Sequence, residues 1–157
     1  MAKSAKPIPD GYHSVTPYLV IDSRRAKEAL DFYARAFGAK ELTRMPRPDG
    51  GIAHAEIQIG DSRIMLADEA PKMDAYGPNH YKGSPVTMHV YLPDVDATTK
   101  QASAAGATVI RPLADQFYGD RSALVRDPFG HTWQLSTHVR DVSMEEMKQH
   151  MHEMVTA

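Results

Sequence analysis

Cysteine is absent from all 157 residues. That excludes disulfides, thiolate zinc sites and cysteine nucleophiles in one step. Nor is there a run of about 18 apolar residues, so no segment reads as a membrane span. Neither sign of charge dominates: 18 Lys and Arg stand against 20 Asp and Glu, a formal charge of −2. This balance gives no electrostatic footprint for nucleic acid or an anionic membrane. The opening Met1-Ala2-Lys3-Ser4-Ala5-Lys6-Pro7 has no apolar stretch after its lysines and does not read as a secretory signal. The cytoplasm is the default expectation. Glycine-rich dinucleotide and phosphate loops, the Gly-x-Ser-x-Gly elbow and His-Glu-x-x-His are all missing.

What is present is an ordinary globular composition, 42% hydrophobic and 24% charged. The unusual feature is eight histidines, which invites a metal-site reading. Residues 1–12, with Pro7, Pro9 and Gly11, read as a tail or strap. Residues 13–70 form a first strand-helix-three-strand unit, 86–139 a second, and 140–157 a terminal helix. Between the units, residues 71–85 carry Pro71, Gly77, Pro78, Gly83 and Pro85 and read as a linker.

Within the first unit, His13 to Ile21 is strand-like, and Asp22 or Ser23 is placed to cap the helix that follows. Ala26, Ala29, Leu30, Tyr33 and Phe37 recur at helical spacing and predict one buried stripe, ended by Gly38. Along 52–59, Ala53, Ala55, Ile57 and Ile59 alternate with His54, Glu56 and Gln58. In the second unit Asp94 opens a helix that Gly106 closes; Asp96 reads as a further cap. Gly38 and Gly106 stand 68 residues apart, and Thr16 and Thr87 stand 71 apart. This is an internal repeat. At the end, Ser143 and Glu146 form a capping box. Met144, Met147, Met151 and Met154 then share one helix face. That face is expected to pack on the domain or on a dimer partner, a ligand-gripping role being the alternative.

The doubled pattern resembles the vicinal oxygen chelate superfamily, which includes glyoxalase I, extradiol dioxygenases and bleomycin-binding proteins. The segments that carry the resemblance are Pro17-Tyr18-Leu19, Ala29-Leu30-Asp31-Phe32-Tyr33, Phe37-Gly38-Ala39 and Asp127-Pro128-Phe129-Gly130-His131-Thr132-Trp133. The stretch from Asp115 to Arg121, with Ser136-Thr137-His138-Val139 and Asp141-Val142-Ser143, is similar to the PhnB-like branch. The resemblance implies an α+β fold. Two βαβββ modules would form cup-shaped mixed sheets with helices outside, side by side or exchanged between subunits. It fixes no single activity.

In metal-using members the first and last strand of each half supply one ligand each. Matched by motif, those places hold Thr16, Met65, Thr87 and Gln134. Divalent ions at oxygen and nitrogen sites prefer imidazole and carboxylate, so the usual metal site is expected to be absent and no cofactor is implied. A slip of two residues would bring His89 to the place of Thr87. The histidines in tails, linker and strand ends, including His138, read as surface residues. Arg121 and Arg126 read as solvated edge charges, with an anion-holding role as the rival. Tyr18, His54, Glu56, His89 and Tyr91 join the four matched positions as the candidate pocket, with His89 expected across the sheet from the His54–Glu56 pair. Trp133 is out of phase with Gln134 and should pack under the helices with a partner for its N–H. The reading is thus a metal-free small-molecule-binding protein, PhnB-like and acting as a homodimer, with no nucleic-acid or membrane partner. Its reaction, if any, is open. The alternatives are a metal-dependent glyoxalase-like lyase or dioxygenase, and a drug-sequestering resistance protein.

Overall fold

Each of the two units into which the chain divides, meeting at Gly83 and Ser84, is built on one βαβββ module. The computed structural model describes residues 5–156; the first four residues of the expected tail and Ala157 lie outside them. The first unit runs β1 (Tyr18–Ile21), α1 (Ala26–Phe37), β2 (Lys40–Pro46), β3 (Ile52–Ile59) and β4 (Ser62–Asp68). Its strands lie in the order β1-β4-β3-β2, with β1 parallel to β4 and the other pairs antiparallel. The second unit runs β5 (Thr87–Tyr91), α2 (Val95–Ala105), β6 (Thr108–Asp115), β7 (Asp120–Arg126) and β8 (Thr132–His138). It repeats the order as β5-β8-β7-β6, again with the outer first strand parallel to the last. A third helix, α3 (Met144–Thr156), follows. No helix among the described residues is long and apolar enough to cross a membrane.

One face of each sheet is apolar because alternate strand residues are apolar. In the first unit Ala55, Ile57, Ile59, Ile64 and Leu66 are buried. The predicted α1 stripe is buried with them, joined by Phe32 and Ala36. In the second, Ala123, Val125, Trp133 and Leu135 form the core with Val95 and Ala102 of α2. Each large side chain so buried contributes roughly 1.5–3 kcal/mol. Both helices end where predicted, on glycines in the left-handed region: Gly38 at φ 66° and Gly106 at φ 119°. The amide after each glycine bonds back into the helix, Ala39 to Tyr33 and Ala107 to Ala102.

Two expectations change. The first strand begins at Tyr18 rather than His13; of the residues before it, Pro17 lends a carbonyl to the Met65 amide but has no N–H to give. Neither Asp22 nor Ser23 caps α1. Ser23 and Arg24 instead take positive φ in a short 3-10 turn. Asp68, from the end of β4, accepts from the Ala26 amide at 2.8 Å and from the Ile52 amide at 2.6 Å. Asp22 is held elsewhere, by the Asn79 side chain at 2.6 Å. On the methionine face of α3, Met147 is half-buried and the others face outward. Met144, Met151 and Met154 are exposed, while His150 on the same helix stacks on Phe117. The capping box itself forms: Ser143 Oγ accepts from the Glu146 amide, and Glu146 accepts from the Ser143 amide at 2.9 Å. The Ser143 hydroxyl also donates to the Glu146 carboxylate at 2.7 Å, and this bond, with that from the Ser143 amide, lowers the pKa of Glu146.

In the second unit the place of Asp68 is taken by Thr137, whose hydroxyl accepts from the Val95 amide at 2.9 Å, and a separate buried carboxylate, Asp127, sits in the turn after β7. One of its oxygens accepts from the amides of Phe129 and His131, both at 2.9 Å. The other accepts from Trp133 Nε1 at 2.9 Å. Asp127→Ala would remove the acceptor of all three bonds, so it is expected to cost about 3 kcal/mol or more of unfolding free energy. Urea denaturation measures this; a loss under about 1 kcal/mol would contradict the role.

Candidate functional site

The face of each sheet opposite the helix carries the polar residues. In the first unit it holds a closed chain of bonds. Tyr18 Oη lies 3.0 Å from His54 Nδ1, and His54 Nε2 lies 3.1 Å from Glu56 Oε1. Tyr12, from the expected tail, donates its hydroxyl to the second oxygen of Glu56. Arg63 approaches that same oxygen at 3.7 Å and sits 4.3 Å over the Tyr12 ring. The Tyr12 bond, helped by His54 and Arg63, holds the Glu56 carboxyl below the usual range. Burial pushes the Tyr18 phenol up. Met65 lies opposite Tyr18 in the ladder. Thr16 is half-buried just before β1.

In the second unit the corresponding face is an open cleft of about 580 Å³. The ladder arranges its floor in rows. Arg111, Leu124, Gln134 and His89 pair across β6, β7, β8 and β5. Ala114, Ser122, Ser136 and Tyr91 make the next row. Pro112, Gln116 and Tyr118 complete the wall, and Thr87 also lines it. Arg111 Nη2 donates to Gln134 Oε1 at 3.2 Å. His89 Nε2 lies 2.9 Å from the buried Ser136 hydroxyl, and its ring stacks on Tyr91 at 4.9 Å. Ser122 is 1% exposed and lines the cleft, yet its hydroxyl has no hydrogen-bond partner. Asp120 is buried on the same face of β7. It accepts from Tyr91 Oη at 2.9 Å and faces His138 Nδ1 at 2.8 Å. The bond to Asp120 raises the pKa of Tyr91.

The structure thus brings Thr87, His89 and Gln134 to one cleft, with Tyr91 beside them, and Tyr18, His54, Glu56 and Met65 to the face of the other unit. His89 does not stand across a sheet from His54 and Glu56: it belongs to the second sheet and they to the first. Arg111, Ser122, Leu124 and Tyr118 were not singled out by sequence. The repeat held a signal for three of them. An offset of 68 carries Thr43, His54 and Glu56 onto Arg111, Ser122 and Leu124, and the ladders pair Thr43 with Glu56 as they pair Arg111 with Leu124. Arg121 is not a solvated edge charge. It binds Asp96 at 2.7 Å and Asp115 at 3.0 Å, which raises its own pKa and lowers that of Asp96. Asp96 therefore serves Arg121, while Asp94 caps α2 through the Ala97 amide.

The metal that the fold family implies finds a poor donor set. The matched positions offer two hydroxyls, a thioether and an amide. The ladder sets Tyr18 opposite Met65 and His89 opposite Gln134, so the two-residue slip would add one imidazole, already bonded to Ser136, and still no carboxylate. These residues do not fit a divalent ion. Among the described residues no three His, Asp or Glu side chains gather as a metal-holding group.

His138 titrates in a defined direction. Its hydrogen bond to Asp120, and then that to Asp141, raise its pKa. The folded value thus lies above the unfolded one, about 6.5. The stabilisation is complete below that value and is lost as pH rises through the folded pKa. His138→Gln should therefore open a stability gap from the parent that is widest below roughly pH 6 and narrows toward pH 9. Urea unfolding across pH checks it, and a gap that grew with pH would contradict it.

Comparison with known proteins agrees with this architecture. An uncharacterized protein of Mycobacterium bovis is 45% identical over 138 residues, covering 86% of this chain and 90% of its own length. The crystal structure of TioX from Micromonospora is 29% identical, with a TM-score of 0.61, covering 80% of this chain and all of its own. A PhnB protein from Bacillus cereus shares the fold at 18% identity and a TM-score of 0.61, covering 80% of this chain and 99% of its own. The family model of the glyoxalase/bleomycin resistance protein/dioxygenase superfamily matches residues 17–135. The chain belongs to that superfamily, and PhnB-like proteins are among its structural neighbours.

Proposed function

We propose that the chain is a small-molecule-binding protein whose ligand occupies the cleft of the second unit, without the superfamily's usual metal. One observation carries the reading. The two units present the same face of the same fold, but on the first the polar side chains bond to one another. The second leaves about 580 Å³ open. Such a space, apolar on its walls with a few convergent polar groups, is the usual form of a small-ligand site. Leu124 stands where the first unit has Glu56, so no carboxylate draws a strap across this face. Pro112, Ala114 and Tyr118 supply contact surface for an apolar body.

Ala114 is exposed on β6 and lines the cleft, so Ala114→Trp fills the space at little risk to the core. In an NMR titration with small aromatic and aliphatic molecules, perturbed resonances are expected at Ser122, Leu124 and Gln134, and Ala114→Trp should abolish them. Perturbations elsewhere, or binding that survives the tryptophan, would overturn the cleft reading. Elemental analysis of purified protein is expected to find no stoichiometric divalent ion. A retained ion at one per chain would overturn the metal-free half.

A further inference from the structure

The chemistry of the cleft lining narrows its ligand, granted that the cleft is a binding site as proposed above. We infer that the second unit's cleft takes an organic monocarboxylate: a planar anionic head held by Arg111 and Gln134, on an apolar body lying over Leu124 and Tyr118.

Hydrogen-bond bookkeeping leads to this class. Arg111 is the only Lys or Arg in the lining, and no Asp or Glu lines it. Among the described residues no carboxylate lies within ion-pair distance of Arg111. Arg44, Arg63 and Arg121, in contrast, each have a carboxylate partner. The partner of Arg111 is neutral, the amide oxygen of Gln134 at 3.2 Å. A guanidinium only donates, so it fixes which end of the amide faces it. The Gln134 NH₂ is left as a second donor with no hydrogen bond among the described residues. The Ser122 hydroxyl, one ladder row along, is buried and unpartnered. Two donors on one floor, the Gln134 amide and the Ser122 hydroxyl, therefore lack acceptors, Arg111 has only a neutral one, and the lining supplies none with a charge.

An acceptor-rich head completes such a set. The guanidinium fork matches a planar carboxylate with two parallel bonds. One fixed positive charge balances one negative charge, which favours a monocarboxylate over a phosphate dianion. The apolar wall supplied by Leu124, Pro112, Ala114 and Tyr118 then sets the body. An inorganic anion would leave that surface unused.

The test compares 1-naphthoate with its neutral near-isostere 1-naphthamide on the intact chain, by calorimetry and by NMR. Naphthoate is expected to bind about tenfold or more tightly than naphthamide, as a charge-assisted pair provides. Arg111 is exposed, so Arg111→Gln should keep the parent's thermal midpoint while bringing the two ligands to parity. Added salt should weaken naphthoate and leave naphthamide unchanged. Equal affinity in the parent, or a preference that survives Arg111→Gln, would overturn the carboxylate inference and leave the cleft standing. If neither compound moves Ser122, Leu124 and Gln134, or if Ala114→Trp leaves binding intact, the cleft reading itself falls.

Discussion

The parallel pairing of first and last strand within each unit is the constraint on which everything else rests. A parallel pair needs a crossover, and the helix that makes it covers one face of the sheet. Strand alternation then sends every other residue to the opposite face. With Tyr18 opposite Met65 and His89 opposite Gln134, the rows across each sheet are set. A slip of one residue would exchange core for solvent along a whole strand, so the buried Ile57, Leu66, Val125 and Leu135 hold the register that also aligns the polar faces.

On that shared scaffold one difference stands at the centre of the polar face. Glu56 occupies the central row position of the first sheet, and Leu124 the same position of the second. A half-buried carboxylate must gather donors. Glu56 gathers Tyr12, His54 and the nearby Arg63, and the strap is drawn in with Tyr12. Leucine makes no such demand, so the equivalent row stays open and its polar neighbours keep unused bonding capacity. The first face carries a bonded network, and the second carries the cleft proposed as the ligand site.

Local features were legible in the sequence because their partners are local. The glycine stops, the Ser143–Glu146 box and the α1 stripe each involve residues within a turn or two. Trp133 was legible by phase, and its partner Asp127 lies only six residues away. The α1 cap was not, because Asp68 lies 42 residues from Ala26. The same holds for Tyr12 and Glu56, which stand 44 apart. Of the candidate site, the first- and last-strand positions were legible by motif, and His54 and Glu56 by alternation along β3. The inner and edge strands of the second unit were not, because Ser122 and Leu124 replace the His-x-Glu pair with residues that carry no such signal.

Arg111 escaped for a subtler reason. Plain alternation sets residues 109 and 111 on the same side of a strand, and Val109 pairs with Val125 of the core. By that rule the guanidinium belongs on the helix side. The ladder breaks there: Val109 pairs with Val125, but Arg111 pairs with Leu124, two steps on β6 against one on β7. The extra residue, Ile110, reverses the phase and turns Arg111 onto the cleft face. The first unit has the same break, between Glu41 and Thr43. Since 41 and 43 plus 68 give 109 and 111, the bulge is part of the repeated module. The module therefore turns the β2 or β6 side chain after the bulge onto the polar face. Which side chain stands there decides its use: Thr43, a short neutral hydroxyl, in the unit that closes on itself, and a guanidinium in the unit that stays open.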